Sequence, residues 1–259
     1  MLIVVSPAKS LDLSPVDIET TDIMFPKEAL SLAKTARNLT LGDLKSLMSI
    51  SDNLAKLNRD RFKAYTETPD ADAVKAAVYA FDGDTYKGLE AKTLDEDDIK
   101  WAQDHLRILS GMYGLLRPLD AMQPYRLEMG SKLKTRRGKN LYEYWGDQIA
   151  KTLNTEAEAI GTDILVNCAS QEYFHAADTK ALKLRVITPQ FYEIKDGKAK
   201  IVSFFAKRAR GAMARYIIEN RLTDAEAIKG FATGGYAYDA DLSDGDTWAF
   251  SRAYPDTKD

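Results

Sequence analysis

The chain has 259 residues, 45% of them hydrophobic and 29% charged, with a net charge of −3 at neutral pH. That length supports a full hydrophobic core, and no linker, low-complexity run or internal repeat marks a boundary, so one domain over residues 1–259 is expected. The single cysteine, Cys168, excludes an internal disulfide framework and suits the cytoplasm, Met1 to Ser6 is too short for a signal-peptide core, and no run reaches the roughly 18 apolar residues that span a membrane.

Leu2 to Val5 reads as a buried strand stopped by Pro7, which leaves Lys9 in the loop at the strand's exit. In open α/β sheets ligands gather at the carboxyl ends of strands, so Lys9 is a candidate phosphate contact, against the simpler reading of a solvated lysine. Pro26 to Thr66 has helical periodicity in three pieces, marked by Leu30, Ala33 and Ala36, by Leu44, Leu47 and Met48, and by Leu54 and Leu57. Ser51 or Asp52 is placed to cap the third piece, giving two short helices joined by a tight turn. Val78 to Phe81 reads as a strand ended by Asp82-Gly83-Asp84, and Thr93-Leu94-Asp95-Glu96 as a capping box. Ile99, Ala102, Leu106 and Leu109 continue as the buried stripe of a helix running to Gly111.

Gly111, Gly114 and Arg117-Pro118 then stop the helix in a charged loop that presents Tyr125, Arg126 and Glu128. Guanidinium groups on such a loop fork onto phosphate or carboxylate, either as a ligand site or as an internal salt-bridge network closing the loop. Ile164 to Val166 is a strand entering the Asn167 to Tyr173 loop. Val186 to Glu193 and Lys200 to Phe205 flank Lys195-Asp196-Gly197 as a β-hairpin turned by Asp-Gly. In the helix that follows, Phe205, Ala209, Ala212, Met213, Tyr216 and Ile217 form one stripe, with Lys207, Arg208, Arg210 and Arg215 on the other side.

Charge is unevenly placed. Thr66 to Lys100 holds ten acids and four lysines, His105 to Lys139 eight Lys and Arg against two acids, and Lys195 to Arg215 seven against one. Such asymmetry points to a localised positive surface, against the ordinary reading of solvated faces, and a local patch binds polyanions whatever the whole-chain charge.

Five motifs stand in order along the chain: Ser6-Pro7-Ala8-Lys9, the His105 to Gly130 block, Leu141-Tyr142-Glu143-Tyr144-Trp145, Asn167-Cys168-Ala169-Ser170-Gln171-Glu172-Tyr173, and Ala206 to Arg215. Together they resemble the YaaA family of bacterial peroxide stress resistance proteins. The resemblance implies a cytoplasmic, single-domain mixed α/β (α+β) protein with a central mixed sheet and surrounding helices. It further implies a basic cleft and a helix-hairpin-helix element that bind DNA, and an association with low levels of unincorporated iron. The helix-hairpin-helix falls on Leu41 to Arg61. That segment lacks the usual Gly-hydrophobic-Gly turn, and an ordinary helical hairpin is the alternative.

Metal and cofactor chemistry have no signature here. His105 and His175 are the only histidines, and the single Glu-x-x-His of Glu172 to His175 is insufficient for a carboxylate-bridged metal pair. Asp239, Asp241, Asp244 and Asp246 have shifted spacing for a calcium loop and read as an acidic surface turn. No Walker, dinucleotide or Gly-x-Ser-x-Gly motif occurs. Cys168 has no resolving partner and follows an apolar strand, which describes a buried structural thiol better than a peroxidatic one. The preferred expectation is a DNA-binding stress protein without cofactor or membrane partner, engaging duplex or locally opened DNA. Lys9, Arg117, Arg126, Lys207, Arg208, Arg210 and Arg215 would contact phosphates, and Tyr125, Tyr142 or Trp145 would stack on bases. The first alternative is an enzyme acting on DNA, a nucleobase or a nucleotide through a polar pocket of Lys9, Glu128, Asn167, Ser170 and Glu172. The second is a scaffold for iron-handling partners.

Overall fold

Four consecutive apolar residues, Leu2 to Val5, are all buried, as a strand flanked on both sides and covered on both faces requires. The computed structural model describes residues 1–255. In chain order the elements are β1 (Leu2–Val5), β2 (Ser10–Leu11), α1 (Pro26–Arg37), α2 (Leu41–Met48), α3 (Asp52–Ala64), β3 (Lys75–Ala76), α4 (Ala77–Ala80), β4 (Phe81–Asp82), α5 (Asp84–Leu89), α6 (Glu96–His105), β5 (Leu106–Ser110), β6 (Gly114–Leu116) and β7 (Ala121–Met122). There follow α7 (Leu141–Trp145), α8 (Gln148–Ala159), β8 (Ile164–Cys168), α9 (Gln171–Phe174), β9 (Arg185–Lys195), β10 (Lys198–Lys200), α10 (Ser203–Glu219), β11 (Ala237–Asp244) and β12 (Thr247–Ala253). None of the described helices is long and apolar enough to cross a membrane.

The central mixed sheet has eight strands in the order β11-β12-β9-β8-β1-β5-β6, with β10 paired to β9. Strands β5, β1, β8, β9 and β12 are mutually parallel, and β6, β10 and β11 are antiparallel additions. Numbered in chain order, the parallel strands stand 2-1-3-4-5, a doubly wound arrangement that reverses direction between β1 and β8. Their carboxyl ends share one edge of the sheet.

Several expected elements take a different form. The stripe through Leu106 and Leu109 is not helical: α6 ends at His105 and the chain passes directly into β5, all five residues of which are buried. A continuous buried run has no period to separate strand from helix. The same ambiguity explains Val78 to Phe81, where the fully buried Ala77–Ala80 forms one helical turn between two-residue strands. The cap of α6 is Asp95, whose side chain accepts Asp98 N, rather than the Thr93 of the expected capping box. Asp196 and Gly197, at φ 51° and 69°, make the expected hairpin turn. Its second arm stops at Lys200, however, and Phe205 already lies in α10. The Asp239 to Asp246 run, expected as an acidic surface turn, is the largely exposed end of β11 together with the turn that follows it.

Helix α10 is enclosed on more than one side, packing against α5, α6 and strands β1, β8 and β9. It crosses α5 with backbones in contact: a Cβ on Gly88 would lie 1.9 Å from Arg208 O, and one on Gly211 would lie 1.7 Å from Thr85 O. Neither position has room for a methyl group, and the obstructing atoms are main chain. Ala at either position forces the helices apart and should lower stability by about 1–3 kcal/mol or more, read as a shifted urea midpoint. Gly42→Ala is the control, since the nearest atom to its Cβ is 3.7 Å away and helix propensity favours the change. A midpoint unmoved by Gly211→Ala would contradict this packing.

Candidate functional site

Because β1 lies between β5 and β8, Val5 pairs with Cys168 on one side and with Ile108 on the other, so the loops that follow β1 and β8 emerge together at the switch point. Ser170 N donates to Ser6 Oγ at 2.9 Å and Ser6 Oγ donates to Ser170 Oγ at 3.3 Å, while Ser170 Oγ also accepts Tyr173 N to start α9. Lys9 leaves the first loop to meet Glu128 at 2.9 Å, and Arg126 reaches the other oxygen of the same carboxylate at 3.2 Å. Glu172 accepts Gly130 N at 2.9 Å, and its carbonyl accepts Tyr142 OH at 3.0 Å. Lys9, Arg126, Glu128, Ser170 and Glu172, dispersed in sequence, thus belong to one cluster. Asn167 lies under it with an inward role, its Oδ1 accepting Ala169 N at 3.1 Å and its Nδ2 donating to Thr188 Oγ1 at 3.4 Å.

A layer of phenols supports the cluster. Tyr125 shares a 2.6 Å hydrogen bond with Ser110, and Tyr86 OH donates to Ser6 O at 3.2 Å. Burial first, and then the neighbouring phenols, pushes the pKa of Tyr86 and of Tyr173 well above the ordinary tyrosine range. They remain neutral donors at physiological pH. Arg126 Nε is buried without an acceptor in this layer. Burial likewise pushes the Cys168 thiol up to about 12, although the Arg210 guanidinium beside it acts in the opposite direction. Among the described residues, no three His, Cys, Asp or Glu side chains converge as a metal site.

The remaining sequence candidates lie elsewhere. Arg117 pairs with the fully buried Asp120 at 2.9 Å and donates to Asp22 O at 2.6 Å, closing its own loop internally. Trp145 is 2% exposed and donates to Gly111 O, so its ring belongs to the core, as does that of Tyr125. Arg215 ties α10 to Thr93 and Glu90 O and pairs along the helix with Glu219, and Arg210 is partly buried beside Cys168, so neither faces solvent freely. Lys207 and Arg208 are exposed.

A groove that no single motif marked lies between α1 and the 130–139 segment. It encloses about 830 Å³ and is lined by Lys27, Lys34, Lys134, Arg136, Arg137 and Tyr144 among others, with no carboxylate in its wall. A tight turn in which Thr135 Oγ1 accepts Arg137 N and Gly138 N holds the two arginines outward. Arg137 lies 5.1 Å over the Tyr144 ring and 3.4 Å from Glu28 at the groove's margin. An adjoining depression of about 510 Å³ reaches Lys132 and Gly130 and shares Lys134 with the groove. The signal in the sequence was the alternation Ser131-Lys132-Leu133-Lys134, with buried and exposed residues in turn. Beside this depression, Thr40 and Asp43 form a capping box on α2, and Ser49 in the left-handed region turns the chain toward Ser51, the cap of α3. The segment assigned to a helix-hairpin-helix thus holds two capped helices joined by the short turn through Ser49 to Ser51.

These features define an α/β protein with a polar cluster at the topological switch point of a mixed sheet and a separate cationic groove. The chain belongs to the peroxide stress protein YaaA family, whose sequence profile matches residues 1–242. It is similar to UPF0246 proteins of Ruegeria pomeroyi (65% identical over 254 residues, 98% of this chain and 99% of the relative) and Roseobacter denitrificans (65% over 257 residues, 98% and 99%). A UPF0246 protein of Caulobacter vibrioides is 53% identical over 257 residues, 98% of this chain and 100% of the relative.

A thiol with its acidity near 12 carries almost no thiolate at neutral pH. Native protein at pH 8 should leave a chromogenic disulfide reagent unreacted, and one equivalent should react once guanidinium unfolds the chain. Rapid labelling of the folded protein would show that Cys168 is accessible and activated.

Proposed function

We propose that this member of the peroxide stress family binds DNA, duplex or locally opened, through its cationic groove. The observation that carries the reading is the groove wall: five cations from α1 and the 130–139 segment, of which only Arg137 meets a carboxylate, Glu28 at the margin, in a chain whose net charge is −3. Local potential governs polyanion binding, so an acidic average is no obstacle. Two lysines on one wall and two arginines with a lysine on the other match the two-sided contact that a phosphate backbone makes. Contact through phosphates follows backbone shape, with little sequence preference. The neighbouring α2-α3 hairpin supplies the helix-hairpin-helix-like element of the interface. Protein cations that neutralise phosphates release condensed counterions. Iron(II) held on DNA would be among them, which connects binding to protection from iron-dependent peroxide damage.

The cluster at the switch point favours a second reading, an enzyme that processes DNA, a nucleobase or a nucleotide. Glu128, held between Lys9 and Arg126 beside Ser170 and Glu172, is the group that would serve as acid or base. Incubating wild type and Glu128→Gln with damaged and undamaged oligonucleotides, followed by mass analysis, separates the readings. Altered product from wild type alone supports catalysis, and intact oligonucleotides throughout oppose it.

For binding, each neutralised phosphate contributes about −0.9 to the slope of log affinity against log salt. Contacts from five cations give a slope of roughly −4.5, and Lys134→Ala with Arg136→Ala should reduce its magnitude by about 1.8 while leaving the urea midpoint unchanged. An affinity flat with salt, or a slope indifferent to the double change, contradicts the proposal.

A further inference from the structure

We propose that the start of α10, with the β9-β10 hairpin, is a platform for unpaired nucleotides, in which Phe204 stacks on a base and Lys200, Lys207 and Arg208 neutralise the flanking phosphates. The inference rests on the nucleic-acid reading above and adds to it a second surface, built from different elements and specific for single strands.

Two large apolar side chains are left half in water at this point, Phe204 at 51% exposed and Ile201 at 50%. Phe204 is the only aromatic residue among the exposed large hydrophobics of the described chain. The ring does not dangle. It rests on Phe205 with centroids 4.0 Å apart, and Phe205 is in turn fixed by the Arg252 guanidinium 4.7 Å over its ring and by Tyr254 at 6.0 Å. One face of Phe204 is thus supported from behind, the arrangement a stacking platform needs, since a held ring loses little freedom when a base settles on it.

Along the chain the charges that flank the ring are cationic, while the carboxylates near it are the fully buried Glu193, which accepts Val202 N, and Glu90, which shares a pocket with Phe205 and Arg208. Lys207 and Arg208 follow Phe204 by three and four residues on α10, so both flank it on the helix surface. Lys198 and Lys200 precede it on β10, and Lys195 lies 5.1 Å over the Tyr254 ring. Among the described residues none of these five cations is in an ion pair, and Asp196 at the hairpin tip is the sole acid between Lys195 and Arg210. Cations with an exposed, supported aromatic fit a polyanion that also offers a flat apolar face, which a single-stranded nucleic acid does and a duplex, with its bases stacked inward, does not. Of the three rings that sequence reading placed on bases, Tyr125 and Trp145 are buried and Tyr142 is half-buried with its hydroxyl on Glu172 O, whereas Phe204 offers an exposed ring.

The test measures binding of a fluorescein-labelled 12-nucleotide oligothymidylate and of a duplex hairpin to the full chain. Phe204→Ala should weaken oligothymidylate binding about tenfold or more and leave the duplex unaffected, Phe204→Tyr should retain both, and Lys134→Ala with Arg136→Ala should weaken the duplex alone. Oligothymidylate affinity unchanged in Phe204→Ala overturns the platform while leaving the groove reading intact. Equal loss for both probes overturns it as a single-strand site. If wild type binds neither probe, both proposals fall. Binding to phosphatidylglycerol vesicles that is lost in Phe204→Ala, without oligothymidylate binding, assigns the surface to anionic lipid instead.

Discussion

The position of β1 between two parallel neighbours is the constraint from which the candidate site follows. A four-residue strand paired to β5 and β8 at once fixes the level at which three loops leave the sheet, and Val5 opposite Cys168 makes the first and third of those loops adjacent. The Ser170 amide on Ser6 Oγ then joins them directly. Lys9 is carried to Glu128 by this geometry, and Glu172 to the amide of Gly130. Without the strand order, these residues are only polar positions scattered through the chain. Support from below comes from the α5-α10 crossing, where two glycines let main chains touch and so seat α10, with Arg210, beside the end of β8.

Charge in this molecule is segregated rather than scarce. Acids are concentrated where they perform local structural tasks: Glu96, Asp97 and Asp98 at the positive end of α6, Asp120 under Arg117, Asp12 between Lys75 and Lys92. Cations gather on the 130–139 segment and α1, where Arg137 alone of the groove's five meets a carboxylate, and again around the start of α10. The switch-point cluster differs from both. Its cations, Lys9 and Arg126, share the Glu128 carboxylate and are backed by neutral phenols.

Much of the fold was legible because its signals are local. Leu2 to Val5, the three helices from Pro26, the Asp196-Gly197 turn and the apolar stripe of α10 each declare themselves within a few residues. Leu106 to Ser110 did not, because a central parallel strand buried on all sides has no periodicity, and Arg107 within it is accommodated by Glu156 of distant α8 at 2.9 Å together with the carbonyls of Gln103 and Leu106. Side-chain chemistry was legible as motif membership but not as direction. Arg117, Arg126 and Arg215 look alike in sequence, yet one closes a loop, one holds Glu128 and one fastens α10 to α5. Nothing in the neighbouring residues of Arg117 shows that Asp120 will be fully buried beneath it. Conversely, Lys27 and Lys34 belong to an unremarkable amphipathic helix, and only the approach of Arg136 and Arg137 from a hundred residues away turns them into one wall of a groove.

Lysine accessibility reports most directly on the proposed contact between that groove and a polyanion. Brief acetylation of the protein with and without a saturating duplex, read by peptide mass, should show Lys27, Lys34 and Lys134 protected by DNA while exposed Lys151 and Lys183 stay as reactive as before. Uniform protection, or protection confined to Lys151 and Lys183, would contradict the assignment of the groove.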